Sequence, residues 1–487
     1  MAGMRNCYLR SPGGLPNVGQ ERAPSVMNAA RWRRFENEMR AEMGLGGLDR
    51  VAGPVFRRGE PGYEQAREDA VWNARKPPRY PDLIVIAITQ DDAATAVRYA
   101  RAEGLQVALR SGGHSWCGGH LHDGGLLLDL SRLREITVDP AARRVTVQAG
   151  VVGSDVHEAL VPHGLFFPVG HGPDVGLAGF LLGGGYGWDS RELGPACLSI
   201  EAVDAVTADG EVVHAAPRSN DDILWAARGG GHGQFTAITR FHLRIYPAPG
   251  AIMRSTYVYP LDAAGDLVRL MMAVGPELSR SVELVAMATL PPAGGFDGAA
   301  VTMSGTAFAD SFEQAERLLE PLDRAAYADA AWARAYDPTD LAAMAAEVSR
   351  ETPRGRRYVA DNIWTRATPD EIAPSFQAIT DSMPNAASQV FWYFWGEDQA
   401  PGHAAWSVQA PWYLGVYGIG DDPATDEQHA AWVTKSIASV EHLSAGTQFA
   451  DADLGQRFDR PLSDASLARM EDLRATYDPT GLFYGYR

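Results

Sequence analysis

The stretch Val169–Gly194, VGHGPDVGLAGFLLGGGYGWDSRELG, constrains the fold more than any other part of the sequence. Two further glycine-rich segments lie on either side of it, RSGGHSWCGG (Arg110–Gly119) and ARGGGHGQF (Ala227–Phe235). Each of the three follows or precedes a predicted strand, where glycine lets the backbone approach a ligand and leaves N–H groups free to hold an anion. Together they indicate an anion-binding cradle, although any one of them alone is equally well interpreted as a surface loop.

Two common nucleotide-binding motifs do not match these segments. None shows G-x-G-x-x-G in its usual setting, an N-terminal strand–turn–helix with an acidic residue about 20 positions further on. The phosphate-loop pattern GxxxxGK[ST] is also missing from the chain. The sequence therefore excludes a nicotinamide site of the Rossmann type.

Strands and helices alternate in the residues around the first two segments. Asp82–Ile88 is strand-like, Asp91–Gly104 has the acidic start and terminal glycine of a helix, and Gln106–Arg110 is a second strand. Period-2 alternation between Leu126 and Ala149 predicts a hairpin, and Ser154–His163 predicts another helix.

Beyond Pro249 the composition changes to alanine-rich helical stretches alternating with aromatic strands. The predicted helices are Ser311–Ala335 (broken near Pro321), Leu341–Val348 and Pro369–Ser382. The predicted strands are STYVYP, VELVAMATL, VTMSGTAF and QVFWYFWG. These patterns favour a mixed fold of more than one domain.

Composition and charge exclude several classes of protein. The chain has 487 residues, with 43 Lys and Arg against 61 Asp and Glu, so its net charge is −18 and nucleic acid is not an expected partner. Three cysteines, Cys7, Cys117 and Cys197, are too few for a disulfide framework. We expect residues 1–28 to be a mobile extension, Asn28–Met43 to be a helix, and no signal peptide or membrane span, which points to the cytoplasm.

An ordered series of motifs resembles one enzyme family. RSGGHS, GGLLLDLSRLREITVD, QAG, the block GxxPxVGxAGxxLGGGYG, SREL, TADG and DDILWAARGGGHG follow one another between about Ala74 and Pro247. The series resembles the FAD-linked oxidases of the vanillyl-alcohol-oxidase superfamily, in the berberine-bridge-enzyme and 6-hydroxynicotine-oxidase branch. The terminal YDPTGLF is similar to a C-terminal motif of the same group.

This resemblance implies an α+β fold of two domains. A PCMH-type FAD-binding domain would comprise residues 40–250, with its core at about 76–247, and the segment 446–487 would return to it. A substrate domain, an antiparallel sheet covered by helices, would be inserted at 251–445. The isoalloxazine ring would lie at the junction, where pockets commonly form.

The resemblance also implies how FAD is held. His114 of RSGGHS occupies the position at which family members attach the flavin covalently, and the N–H groups from Ser111 to Ser115 would bind the pyrophosphate. The FAD-binding residues it implies are Arg110, Ser111, Gly112, Gly113, His114, Ser115, Gly118, Gly170, Val175, Gly176, Gly179, Gly185, Tyr186, Ile200 and Val206.

One departure from the family concerns a second covalent bond. Many relatives attach the flavin also through a cysteine in the pattern GxCPxVG, where this chain has Gly172. Cys117 and Cys197 lie outside that motif and are interpreted as buried small residues. We therefore expect a single covalent link, through His114.

A second departure concerns the catalytic base. The tyrosine used by sugar-oxidising relatives is missing, and Thr447 stands near its position. In the strand QVFWYFW, period-2 alternation puts Tyr393 on one face with Gln389, Phe391 and Trp395, so Tyr393 is the predicted catalytic residue. The alternative interpretation is an aromatic face packed under helices, and Tyr413 is a second candidate.

The expected reaction is removal of a hydride from a C–H next to oxygen or nitrogen, or on an activated ring. The aromatic residues of the second half favour a small aromatic or apolar substrate. In related enzymes a valine three residues after the cysteine position admits oxygen, and Val175 is that valine, so we expect molecular oxygen as the acceptor and hydrogen peroxide as a product. The alternatives are a dehydrogenase with another acceptor, and a redox-silent cyclase or binding module.

A metal site is the last possibility that the motifs raise. His114, Cys117, His120 and His122 fall close together, but the spacing H-x₂-C-x₂-H-x-H is no standard zinc pattern. No metal is expected.

Overall fold

The computed structural model describes residues 47–290, 298–326, 330–396 and 398–486. The expected extension at residues 1–28, the predicted helix Asn28–Met43 and Cys7 lie outside the described residues. No helix in the described ranges is long and apolar enough to cross a bilayer.

The first sheet has four strands, three of them parallel. Their order is β1-β2-β4-β3, for β1 (Val55–Arg57), β2 (Leu83–Ile86), β3 (Val107–Arg110) and β4 (Leu126–Asp129), with β1 antiparallel at the edge. The first two helices are α1 (Tyr63–Asp69) and α2 (Gln90–Glu103). Helix α2 begins at a capping box formed by Thr89 and Asp92 and ends at Gly104 with φ 68°, as its sequence predicts.

Strand β4 differs from the prediction, which joined it to the hairpin after it. All four of its residues are buried, as in parallel strands that are covered on both faces. The true hairpin, β5 (Ile136–Asp139) and β6 (Arg144–Gln148), alternates between less and more exposed residues and belongs to the second sheet.

The second sheet has five antiparallel strands in the order β5-β6-β10-β8-β9. Its remaining strands are β8 (Ile200–Val206), β9 (Val212–Ala215) and β10 (Ala237–Arg244), and the pair β7 (Leu165–Phe166) and β11 (Tyr246–Pro247) lies apart. The connecting helices are α3 (Gly153–Leu160), α4 (Leu177–Leu182), α5 (Ser190–Leu193) and α6 (Asp221–Ala227).

The third sheet has eight antiparallel strands in the order β15-β12-β14-β13-β17-β18-β16-β19. The strands are β12 (Ala251–Pro260), β13 (Val282–Thr289), β14 (Ala300–Ala309), β15 (Trp332–Thr339), β16 (Arg357–Thr365), β17 (Gln389–Phe394), β18 (Trp412–Gly420) and β19 (Ser444–Gly446). Its helices are α7 (Ala264–Val274), α8 (Phe312–Ala326), α9 (Leu341–Glu351), α10 (Pro369–Asp381) and α11 (Asp426–Val440).

One face of this sheet is covered by helices, which confirms the predicted α+β class. Buried residues of α7, α8, α10 and α11 form a single hydrophobic cluster with the strands. Burial of such apolar surface is the main stabilising contribution to a sheet–helix layer. The opposite face of the sheet is left for the glycine-rich segments.

Part of the predicted helix Ser311–Ala335 is wrong. Helix α8 ends at Ala326 and contains Pro321 without a break, and β15 starts at Trp332. Strand β15 pairs with β12, so sheet hydrogen bonds and packing outweigh the helical preference of its alanines.

The end of the chain returns to the first sheet. After α12 (Asp464–Tyr477), the Val107 N–H donates to the Leu482 carbonyl at 2.7 Å, and the Tyr484 N–H donates to the Val107 carbonyl at 3.1 Å. The terminal segment thereby packs beside β3, directly before the first glycine-rich segment.

Candidate functional site

A cavity of about 750 Å³ lies between the glycine-rich segments and the open face of the eight-stranded sheet. All three glycine-rich segments contribute to one wall, and strands β12, β13, β14, β17 and β18 contribute to the other. Sites for small molecules commonly have volumes of roughly 300–1,000 Å³. The cavity is therefore the candidate functional site.

Glycine is required where the first two segments touch. A Cβ on Gly112 would lie 2.5 Å from the Cα of Gly176, so the two backbones are in contact. Gly113 has φ 71°, and a Cβ there would lie 2.2 Å from the Ala70 carbonyl oxygen. No other residue fits these positions without moving the backbone, and the result is a wall in which the backbone itself lines the cavity.

His114 is held by two neighbours behind this wall. Its Nε2 lies 3.3 Å from Asp174 Oδ1, and its ring stacks on Trp72 with centroids 4.2 Å apart. The indole N–H of Trp72 donates to the other oxygen, Asp174 Oδ2, at 2.6 Å. Because a carboxylate only accepts hydrogen bonds, Nε2 carries a hydrogen in this contact, so Nδ1 is the nitrogen with the lone pair in the neutral imidazole. The geometry fits a nucleophilic nitrogen.

The cysteines are poor nucleophiles by comparison. Burial raises the pKa of the Cys117 thiol and of the Cys197 thiol, so both are protonated at neutral pH. At Gly172, where relatives have cysteine, a Cβ would lie 3.1 Å from Val175 Cγ2. A larger side chain at residue 172 would therefore press on Val175.

Two buried polar atoms in this wall have no partner. Gln234 Oε1 and Thr236 Oγ1 lack a hydrogen bond among the described residues, and both residues line the cavity. An unpaired buried oxygen costs about 1–3 kcal/mol, so these atoms favour a ligand that donates to them. The residues present thus fit a bound dinucleotide cofactor such as FAD.

The sheet contributes an aromatic wall. Gln389, Phe391 and Tyr393 all line the cavity, while Trp392 points to the helical side and stacks on Trp412 with centroids 5.2 Å apart. The predicted alternation therefore holds for these residues. Trp395, predicted on the same face as Tyr393, is buried and is not among the residues that line the cavity.

A carboxylate that the sequence did not reveal lies in the same wall. Asp451 Oδ2 accepts hydrogen bonds from the hydroxyls of Tyr413 (2.7 Å) and Tyr417 (3.0 Å), and its Oδ1 accepts from the indole N–H of Trp116 (2.7 Å). Burial, and next the charge of Asp451, raises the pKa of both tyrosines well above the usual value. Both hydroxyls stay protonated, and Asp451 is the group able to accept a proton.

Thr447, the residue near the missing tyrosine position, has another role. Its hydroxyl donates to Asn362 Oδ1 at 3.0 Å, and it does not line the cavity. Asp451 follows four residues later on the same segment and does line it.

A second polar group occupies the part of the wall nearest β13. His171 Nε2 donates to Glu283 Oε1 at 2.9 Å, and Glu283 Oε2 is buried with no hydrogen-bond partner in the part of the chain that the structure describes. Glu351 also lines the cavity, where burial and next the charge of Glu347 raise its pKa to about 7. The cavity therefore combines an aromatic part with an acidic part.

Most residues predicted to hold a cofactor meet at this cavity. Those that line it are Arg110, Ser111, Gly112, Gly113, His114, Ser115, Gly170, Val175, Gly176, Gly179 and Tyr186. Four others, Gly118, Gly185, Ile200 and Val206, are not among the lining residues. Ile200 and Val206 are fully buried in β8, and their assignment to cofactor binding stays a prediction.

The histidines of the cluster considered as a metal site make separate contacts with other residues. His120 Nε2 bonds the Ala70 carbonyl at 2.9 Å, and burial lowers the pKa of His120 to about 3. His122 stacks on Tyr484 instead. In the described part of the chain, the group with converging ligand atoms is Asp204, His214 and His242, on the second sheet.

Comparison with known proteins shows the family of this chain. Residues 81–216 match the model of an FAD binding domain. The chain is similar to the FAD-linked oxidoreductase ptmO of Penicillium ochrochloron, with 31% identity over 87% of this chain and 93% of the relative. It is 32% identical to the (R)-6-hydroxynicotine oxidase of Paenarthrobacter nicotinovorans over 46% of this chain and 50% of that enzyme.

A solved structure shows the same fold. The 6-hydroxy-D-nicotine oxidase from Arthrobacter nicotinovorans superimposes with a TM-score of 0.78 at 19% identity, covering 91% of this chain and 98% of that one.

Proposed function

Since this chain belongs to the FAD-linked oxidoreductases, we propose that it holds FAD covalently through His114 alone and oxidises a small aromatic or apolar molecule, with oxygen as electron acceptor. The observation that carries the proposal is the cavity, which joins the glycine wall, His114 and the aromatic face of the sheet. FAD, when bound there, supplies the acceptor for a hydride.

The domains follow the sheets in this proposal. The first two sheets span residues 55–244, and we assign residues 40–250 and 446–487 to an FAD-binding domain. The eight-stranded sheet spans residues 251–446 and supports a substrate domain at 251–445.

The glycine wall would hold the cofactor. The peptide N–H groups from Ser111 to Ser115, whose residues line the cavity, would bind phosphate oxygens, because oriented backbone amides bind anions. Gln234 Oε1 and Thr236 Oγ1 would accept hydrogen bonds from polar groups of the same molecule.

Proton removal is assigned to the aromatic wall. Tyr393 remains a candidate for the catalytic residue because it lines the cavity, but the contacts favour Tyr413. Tyr413 accepts a proton from substrate as it passes its own to Asp451, 2.7 Å away. This route avoids a free tyrosinate, which the raised pKa of Tyr413 disfavours.

Oxygen is the proposed acceptor because Val175 occupies the position at which a valine admits oxygen in related enzymes. Val175 lines the cavity beside Gly170 and Gly172. The 6-hydroxynicotine oxidase similar to this chain is an oxidase by name. A dehydrogenase that uses another acceptor, and a redox-silent cyclase or binding module, are the competing functions.

A peroxide screen tests the proposal. The purified protein is incubated with aromatic alcohols, cyclic amines and oligosaccharides, and peroxide release and anaerobic flavin bleaching are followed together. An oxidase shows both with an aromatic or apolar compound. Bleaching with slow reoxidation in air indicates a dehydrogenase, and binding without bleaching indicates a redox-silent protein.

A further inference from the structure

We propose that Asp174 and Trp72 position and activate His114 for covalent attachment of the flavin, with Asp174 as the residue on which attachment depends. The proposal rests on the covalent link proposed above. It adds two residues, neither of which lines the cavity.

The tautomer of His114 decides which ring nitrogen can attack. Nucleophilic attack needs a lone pair on the ring nitrogen that meets the flavin. The carboxylate of Asp174, 3.3 Å from Nε2, fixes the hydrogen on Nε2 and leaves the lone pair on Nδ1. Nδ1 has no hydrogen bond to another described residue. Without Asp174, the hydrogen would be free to occupy either nitrogen.

The charge on Asp174 is a second feature of this contact. The Asp174 side chain is 47% exposed, so it is only partly buried. Partial burial alone would raise the pKa of this carboxyl, but the hydrogen bond and the charge of the His114 imidazole, and next the hydrogen bond from Trp72, outweigh it and lower the pKa below its usual value. Asp174 is therefore a carboxylate at neutral pH. A negative charge beside Nε2 stabilises the positive imidazole that forms when Nδ1 is alkylated.

The rigidity of the imidazole is a third feature. Trp72 donates its indole N–H to Asp174 Oδ2 at 2.6 Å and stacks its ring on His114 at an interplanar angle of 28°. The backbone N–H of Trp72 donates to the Gly113 carbonyl at 2.9 Å, so the tryptophan is tied to the residue before His114. The Ser154 N–H donates to the Pro173 carbonyl at 2.9 Å and fixes the loop that carries Asp174. The imidazole therefore has little freedom to rotate.

Covalent attachment exchanges a C–H bond of the flavin for a C–N bond to His114. A bond forms between His114 Nδ1 and the 8α carbon of the flavin, one C–H bond of that methyl group breaks, and its hydrogen leaves as a proton. The electron pair of the broken C–H bond stays in the ring system, which is thereby reduced. Molecular oxygen then takes two electrons and two protons, gives hydrogen peroxide, and returns the ring to its oxidised state.

The test separates covalent from total flavin. Wild type and the variants Asp174→Asn, Asp174→Glu and Trp72→Phe are denatured in SDS, and flavin fluorescence of the protein band is compared with FAD released into solution. Asp123→Asn is the control, since Asp123 is exposed, accepts a hydrogen bond from the Tyr80 N–H at 2.9 Å, and makes no hydrogen bond with Asp174 or Trp72 among the described residues. We expect Asp174→Asn to reduce the covalent fraction at least tenfold while total FAD stays near that of wild type, and Asp174→Glu to restore part of it.

The covalent fraction of flavin in each variant decides whether Asp174 is needed for attachment. A covalent fraction in Asp174→Asn equal to wild type overturns the proposal. If Asp174→Asn does not fold, Trp72→Phe decides, because it keeps an aromatic ring but loses the N–H. A covalent fraction at least threefold below that of wild type supports the proposal, and an unchanged fraction overturns it. Complete release of FAD from wild type shows instead that the covalent link itself is wrong.

Discussion

The hydroxyl of Tyr413 on β18 donates a 2.7 Å hydrogen bond to Asp451, which lies just beyond β19. Gly415, between Tyr413 and Tyr417, makes this arrangement possible, because a Cβ there would lie 2.9 Å from the Tyr417 hydroxyl oxygen. Both tyrosines can therefore converge on one carboxylate oxygen. This cluster gives the cavity a proton acceptor that no single tyrosine supplies.

Replacing Asp451 tests its role as proton acceptor. Asp451→Asn keeps the shape of the side chain but cannot take the proton, so we expect flavin reduction to slow by about 10²-fold or more. The rate is measured by anaerobic stopped-flow mixing with the substrate found in the peroxide screen. Asp453→Asn is the control, since Asp453 lines the same cavity but its side chain caps the Gly455 N–H. Equal rates in Asp451→Asn and wild type would remove Asp451 from the mechanism.

Enlarging Val175 tests the access of oxygen. Leucine adds one methylene in a close-packed region, and we expect reoxidation by oxygen to slow at least tenfold, about 1.4 kcal/mol in barrier. Val175→Ala, which only enlarges the space, should reoxidise as fast as wild type. Each protein is reduced anaerobically and mixed with aerated buffer in a stopped-flow instrument. Identical reoxidation rates in Val175→Leu and wild type would refute the control of oxygen access by Val175 and weaken the preference for an oxidase.

Two glycine variants separate folding from cofactor binding. Gly112→Ala forces a Cβ to within 2.5 Å of Gly176, so it should lower the melting temperature. A Cβ on Gly179 meets no atom within 4 Å, and Gly179 lines the cavity. Gly179→Ala should therefore leave the apoprotein stable but reduce flavin incorporation. Stability is measured by thermal melts of the flavin-free proteins, and flavin incorporation by the ratio of flavin to protein absorbance. A lowered melting temperature of Gly179→Ala would contradict the assignment of Gly179 to cofactor binding.

Asp189 makes stability depend on pH. Burial, and next the charges of Glu192 and Glu283, raises its pKa to about 8, whereas an unfolded Asp titrates near 3.9. Between these values the folded state holds the extra proton, so the contribution of Asp189 to stability falls as pH rises from about 4 to about 8. Asp189→Asn removes this decline and suits the positive φ of 58°.

The prediction for Asp189→Asn is checked by urea unfolding at pH 5.5 and pH 8.5. From pH 5.5 to pH 8.5, the free energy of unfolding of the variant should rise relative to that of wild type by at least about 1.4 kcal/mol, the equivalent of one pKa unit. Asp262→Asn, at an exposed carboxyl, controls for the loss of charge alone. A constant difference between Asp189→Asn and wild type would show that Asp189 is ionised throughout.

Local signals explain which parts of the fold the sequence predicts. Helix α2 is predicted to within one residue at each end, because the acidic residues at its start and the glycine at its end are local signals in the sequence. Strand β15 is not, because its pairing with β12 joins residues about 80 positions apart. Strands β16 and β18, and helices α7 and α11, were not predicted either, since packing rather than a local cap defines them.

The residues of the site also differ in whether local sequence signals reveal them. His114 and the glycine segments are recognisable from short motifs, and the structure places them on one cavity. Asp174, Trp72 and Asp451 carry no motif of their own. Trp72 and Asp174 are 102 positions apart in sequence, and only the fold brings them together. Their acidic or aromatic character alone does not distinguish them from many similar residues.

Mass spectrometry of the digested protein tests the central claim, covalent FAD on His114 alone, most directly. Denatured protein is digested, and fragmentation localises the flavin within the peptide that holds both His114 and Cys117. The account predicts FAD on the imidazole of His114, with Cys117 and Cys197 unmodified. Flavin on either cysteine, or FAD found only in the supernatant after acid precipitation, would contradict it.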